Sequence, residues 1–246
     1  MKIHLYTIAW NDIALLPFYL SYYGDWVDRI IVYDDGSDDG CLELFRAHPK
    51  VDLRAFPAKQ DSFVLTANAL WDYAWSESRN IADWVVIANI DEFFWHRDGM
   101  RTYLSKCTEN RITVIKPLGY EMVGDAFPPV GSDLLRSLPM GVPMWGLDKQ
   151  QIFNPGAISD MDFGVGRHVS SPIGRVKVTD PPEAKLLHYK YVDMTGYHNP
   201  RQDALKARLL KGDRDRGYGS HYNATTQERM RSFLWLKHHA GRVVDG

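Results

Sequence analysis

Two short apolar runs, residues 27–33 and 84–88, each stop at a cluster of carboxylates. Neither alternates polar with apolar side chains, so a strand made from either has to be buried on both faces. That demand restricts the chain to an α/β architecture, a mostly parallel mixed sheet flanked by helices. The neighbouring segments agree. Residues 2–9 carry Ile3, Leu5, Thr7 and Ile8 and read as a first strand, and 51–56 read as a third. Helices are expected after Asn11 or Asp12, after Ser37 or Asp38, and over 63–79, where Leu65, Ala69, Trp71, Tyr73 and Trp75 supply an apolar surface. In open sheets of this kind ligands bind beyond the carboxyl ends of the strands, where both acidic clusters fall.

The second half is less regular. Residues 111–116 and 185–191 read as strands, while Pro128, Pro129, Pro139 and Pro143 mark an irregular passage between them. Asn199, Pro200 and Gln202 form a helix start, and Thr225 with Glu228 has capping-box spacing. No linker or shift in composition divides the chain. One domain over 1–246 is therefore expected, with a nucleotide-binding half of about 1–96 and an acceptor-site and C-terminal portion of about 97–246.

Composition narrows the function classes. With 29 Lys and Arg against 31 Asp and Glu, the net charge of -2 gives no general attraction to nucleic acid, and no nucleic-acid partner is predicted. Cys41 and Cys107 have neither metal-site spacing nor the density of a disulfide scaffold. Since no signal peptide or membrane span is visible, a reducing, cytoplasmic setting is expected, with peripheral association at the inner face of a membrane left open. The 13 Tyr, 10 Phe and 8 Trp exceed what a core alone asks for and point to an aromatic-lined cleft as well.

The first cluster is Asp34-Asp35-Gly36-Ser37-Asp38-Asp39. Carboxylates this crowded must be solvated, hydrogen-bonded or opposed by cations. Asp35 is the member expected to contact a nucleobase or ribose, with Asp34 second and Asp38 a helix cap. A solvated Asp/Gly turn explains the same residues without any ligand. In the second cluster, Asn89-Ile90-Asp91-Glu92, Asp91 is suited to a divalent cation that bridges two phosphates. Glu92 faces the other way in an extended chain and suits an Arg partner. His188, flanked by Leu186, Leu187 and Tyr189, either completes a metal shell or is a hydrogen-bonded core histidine. His168, after Gly164-Val165-Gly166-Arg167, is a further cleft candidate that could orient an acceptor or bind metal.

Taken in order, Ala9-Trp10-Asn11-Asp12, the run from Ile31 through Asp34-Asp35-Gly36-Ser37 to Gly40, Ile87-Ala88-Asn89-Ile90-Asp91-Glu92-Phe93-Phe94 and Leu187-His188-Tyr189 resemble the family-2-like glycosyltransferases of GT-A fold. The resemblance covers residues 3–96 well and thins toward 191. It implies a nucleotide-sugar-binding fold, Mn2+ or Mg2+ as cofactor, and a nucleotide-diphosphate sugar as donor. It further implies Asp35 at the base or ribose, Asp91 on the metal and His188 as a metal-associated residue. Asn89 stands where the family's acidic-x-acidic element has its first acid, and it can hydrogen-bond ribose or a metal-bound water without supplying charge.

The activity so implied is inverting transfer of a hexosyl group to a hydroxyl acceptor, in glycan or polysaccharide synthesis. Its general base is sought first at Asp162, then Asp160, then Glu121, because the irregular Ser159–Gly164 stretch suits an acceptor loop. Lys206, Arg208, Lys211, Arg214 and Arg216 form a basic run that could neutralise a diphosphate or simply be a charged helix face. Two rival readings remain open: a metal-dependent phosphoryl or nucleotidyl transferase, and a non-catalytic nucleotide- or carbohydrate-binding protein.

Overall fold

The computed structural model describes residues 1–245. From the amino end the chain forms β1 (Ile3–Ala9), α1 (Leu16–Trp26), β2 (Arg29–Asp34), α2 (Cys41–Ala47), β3 (Val51–Ala55), α3 (Phe63–Tyr73) and β4 (Trp84–Ile87). It continues through β5 (Glu92–Trp95), α4 (Met100–Glu109), β6 (Val114–Ile115), β7 (Leu118–Gly124), α5 (Leu134–Ser137), β8 (Met140–Pro143) and β9 (Ile152–Phe153). The remainder comprises β10 (Ile158–Asp160), β11 (Ile173–Gly174), β12 (Lys185–Val192), α6 (Asn199–Arg208), α7 (Lys211–Asp215), α8 (Thr226–His239) and β13 (Gly241–Arg242).

The protein is α/β, with mixed sheets flanked by helices. A six-stranded sheet has the order β3-β2-β1-β4-β9-β6, and its first four strands are parallel. Strands β9 and β6 extend it antiparallel. A five-stranded sheet, β13-β8-β7-β12-β5, is antiparallel except where β7 meets β12. The expectation of a mostly parallel sheet therefore holds for the first four strands only. Parallel neighbours need a long crossover, which α1, α2 and α3 supply. The shorter connections of the proline-marked second half favour antiparallel pairing instead.

Burial explains the unalternated runs. Trp84 and Val86 point into one apolar cluster, Val85 and Ile87 into another on the opposite face of the sheet, and all four are inaccessible to solvent. In α1 the aromatic residues Tyr19, Tyr22, Tyr23 and Trp26 recur at helical spacing and form one face. Tyr23 stacks on Phe93 with ring centroids 6.0 Å apart. The Tyr19 hydroxyl donates to the Ala88 carbonyl at 3.0 Å, and that of Tyr23 to the Glu92 carbonyl at 2.9 Å. Helix α1 thus fastens both ends of the link between β4 and β5, which carries the second acidic cluster from one sheet to the other.

Several helix ends differ from expectation. Neither Asn11 nor Asp12 caps α1 with its side chain; the Asp12 carbonyl instead accepts from Leu15 and Leu16. Helix α2 starts only after Gly40, whose φ of 100° takes over the turn expected at Ser37 or Asp38. Helix α3 ends at Tyr73 and tightens into a 3-10 turn over Ala74–Ser78. Asn199 does not cap α6, because a π-helical turn over Met194–His198 already coils the chain before it. The Thr225–Glu228 capping box forms as expected.

Candidate functional site

A cavity of about 540 Å³ opens at the carboxyl ends of β1, β2 and β4. Asp35, Asn89 and Asp91 line it together, so the recess expected between the two acidic clusters is present. Trp10, Phe63, Trp71, Tyr197, Tyr218 and Tyr222 supply aromatic wall. Its remaining wall comes from the second half of the chain, chiefly residues 165–168 and α6.

Asp35 continues β2 by one residue and projects into this space. Its carboxylate accepts from Lys59 Nζ at 2.7 Å and from Arg208 Nη2 at 2.6 Å. The Arg208 guanidinium also lies over the Trp10 ring, 3.6 Å from its centroid. Arg201, two helical turns earlier on α6, reaches Asp12 at 2.6 Å and the Trp10 carbonyl at 2.5 Å. One face of α6 is thereby pinned to the ends of both β1 and β2. Asp12 is buried, and that desolvation outweighs Arg201 and the Trp10 N–H to push its carboxyl up to about 6.

Asp34, by contrast, does not line the cavity. Its carboxylate accepts from the Gly36 N–H at 2.9 Å, the Ser37 N–H at 3.0 Å and the Ser37 hydroxyl at 2.5 Å, which makes it the organiser of the turn. Asp38 pairs with Asn11 rather than capping α2, and Asp39 accepts the Cys41 N–H instead.

On the β4 side, Glu92 is fully buried and faces away from the cavity as expected. Lys149 donates to it at 2.6 Å, Arg167 stands 3.6 Å away, and its second oxygen accepts the Asn89 N–H at 2.8 Å. Arg167 also donates to the Asn89 side-chain oxygen at 2.8 Å and stacks on Trp71. Asp91 is left facing the cavity. Directly behind it stands His188, whose Nε2 is 3.1 Å from Asp91 Oδ2 while Nδ1 is 3.2 Å from Glu121 Oε2. The strand register produces this row, since β12 sets His188 opposite both Glu92 and Glu121. Burial alone would lower the imidazole's pKa, yet the two carboxylates overcome it and raise it to about 10. Desolvation raises Asp91 less than His188, Lys149 and Arg201 lower it, so its carboxyl lies well below the usual range.

Asp160 and Asp162 lie outside the cavity wall. Asp160 accepts the Asp162 N–H at 3.0 Å, and Asp162 occupies a left-handed conformation with φ of 47°. The irregularity that made them acceptor-loop candidates is a turn they build for themselves. Of the basic run, Arg208 alone reaches the cavity; Lys211 pairs with Asp215 and Arg216 with Asp61. Sequence reasoning passed over Trp10, Asp12, Lys59, Lys149 and Arg201. The Ala9–Asp12 segment at the end of β1 was the available signal for the first two.

Among the described residues, no group of three or more His, Cys, Asp or Glu side chains is arranged to hold a metal. Asp91 presents a carboxylate to the cavity that could hold a divalent ion, whereas His188, held protonated between Asp91 and Glu121, would have to give up a proton before it could join. The remaining positions would have to come from a bound diphosphate and water.

No family model matches the chain, and no curated protein resembles it. Among solved structures, a crystal structure of an active-site mutant of LgtC is similar at a TM-score of 0.30 with 16% identity. The alignment covers 47% of this chain and 46% of that one, so this chain spans under half of its length. Among the described residues, no helix is long and apolar enough to cross a membrane.

Proposed function

We propose that this protein is an inverting glycosyltransferase of GT-A type, moving a hexosyl group from a nucleotide-diphosphate sugar to a hydroxyl acceptor. The observation that carries this reading is the division of one cavity into two chemically distinct ends. Asp35, with Lys59, Arg208 and Trp10 around it, suits a nucleotide; Asp91 with His188 suits the diphosphate end. Asp35 can accept hydrogen bonds from ribose or base, and Trp10 offers a stacking face. Lys190 and Arg201 give the diphosphate a cationic surround. Asp91 would hold Mn2+ or Mg2+, with His188 able to join only on losing its proton, and the ion when bound would supply charge neutralisation to the departing diphosphate. The chain's own contribution is to orient donor and acceptor and to keep Asp91 ionised.

A screen of UDP- and GDP-hexoses for nucleotide-diphosphate release, with and without Mn2+, tests the proposal. Release that requires both Mn2+ and a hydroxyl acceptor is the expected result. Release of inorganic phosphate or pyrophosphate would favour a phosphoryl or nucleotidyl transferase, and binding without turnover a non-catalytic binding protein. Arg208→Ala removes both the Asp35 partner and the cation over Trp10. It is expected to weaken donor binding about tenfold, the size of one charge-assisted hydrogen bond, when measured by calorimetry.

A further inference from the structure

Inverting transfer needs a proton acceptor beside the attacking hydroxyl, and the cavity's carboxylates are committed to other roles. Among the described residues, four aspartates line it. Asp12 is held by Arg201 and the Trp10 N–H, and Asp35 by Lys59 and Arg208. Asp91 faces His188, and Asp213 accepts from Ser62 and from the Phe63 and Val64 N–H groups at the start of α3. Among the described residues only Asp91 keeps an oxygen, Oδ1, without a protein partner, and the proposed function gives that carboxylate to the cation at the diphosphate end rather than to an acceptor proton.

Three histidines also line the cavity. His198 is buried, stacked on Tyr191, with Nδ1 at the Lys190 carbonyl. His221 rests on Tyr222 with no hydrogen bond to orient its ring. His168 differs from both. Its ring is exposed at the cavity wall, and its Nδ1 lies 2.8 Å from the Gly146 carbonyl oxygen. A carbonyl can only accept, so the proton must sit on Nδ1, and neutral His168 keeps the Nε2 lone pair unprotonated. Arg167, next in the chain, donates to Asn89, which places this loop against the Asp91 end of the cavity rather than the Asp35 end.

We propose that His168 is the general base of the transfer, a reading that rests on the transferase function above and replaces Asp162 and Asp160 in that role. The acceptor O–H proton passes to Nε2 as the oxygen forms its bond to the anomeric carbon. The bond from that carbon to the phosphate oxygen breaks, and its electron pair leaves with the nucleotide diphosphate. The imidazolium then returns its proton to water. The Gly146 carbonyl holds the ring throughout and opposes the other tautomer.

The charged surroundings favour the neutral ring. Partial desolvation and the Lys149 ammonium lower its pKa below the ordinary 6.5; the Gly146 hydrogen bond and Glu92 oppose this and Arg167 adds to it, while His221 is the other titratable group nearby. The base form is therefore present at neutral pH and is lost as pH falls through that lowered value.

The test uses the full chain, a UDP- or GDP-hexose that the parent turns over, and its hydroxyl acceptor. His168→Ala is expected to lower kcat about 10²-fold, the lower end for general base catalysis, with unchanged affinity for the free nucleotide diphosphate. Added imidazole should restore part of the rate. His168→Gln, which preserves ring-like length and a hydrogen bond to Gly146, should be as slow and should lose the acidic limb of the pH profile. Rates within a few-fold of the parent, or a loss confined to acceptor KM with that limb retained, would overturn the assignment while leaving the transferase reading intact. A parent protein that binds and turns over no nucleotide sugar would remove both.

Discussion

Asp91→Ala is expected to lower metal-dependent transfer by about 10²–10³-fold, the scale on which a single electrostatic stabiliser of the transition state acts. Three facts make the effect large. Asp91 lies on the cavity wall just beyond β4, the last of the four parallel strands. It faces the positively charged His188, so its removal leaves a cation-repelling imidazolium where the carboxylate stood. Its pKa is also held below the usual range, so at neutral pH it is fully charged. The same change should weaken Mn2+ binding as followed by calorimetry, whereas the folded spectrum should survive because no backbone group depends on that side chain. Near-parental turnover by the variant would sink the role given to Asp91.

What was legible beforehand divides along a physical line. The two strand-end clusters could be found because buried parallel strands leave a double signature, a continuous apolar run and an abrupt polar stop. Asp35, Asn89 and Asp91 follow from that signature and do meet at one cavity. The cations that surround them could not be found this way. Arg201 meets Asp12 across 189 positions and Arg208 meets Asp35 across 173. No local periodicity records such pairings. Asp160 and Asp162 stand outside that cavity, and an acidic irregular loop looks the same in sequence whether it faces a ligand or only closes its own turn. The second, largely antiparallel sheet was hidden for a related reason. Its strands β5, β8 and β13 are two to four residues long, too short to show any period.

Stability should depend most heavily on a residue that never touches the cavity. Glu92 has no exposed surface, and its partners Lys149 and Arg167 have side chains only 5% exposed. Removing one member of a buried ion cluster leaves the others charged and unpaired, a loss of about 3–5 kcal/mol. Glu92→Ala should therefore lower stability by that amount in a denaturant titration, with Lys149 as the stranded charge. Burial works against ionising Glu92, yet Lys149 and Arg167 prevail and lower its pKa below that of a free glutamate. A lowered carboxylate contributes stability that is present above its unfolded value near 4.5 and is lost as pH falls through the folded one. The parent should weaken on acidification below pH 4.5 by more than Glu92→Gln does, and parallel curves would show that the cluster is energetically silent. The cavity has a stake in the result. Glu92 holds the Asn89 N–H, and Arg167 holds the Asn89 side chain, so this buried charge fixes the bend that presents Asp91. Losing it should cost activity in proportion to the disorder of that bend, even at temperatures where the variant stays folded.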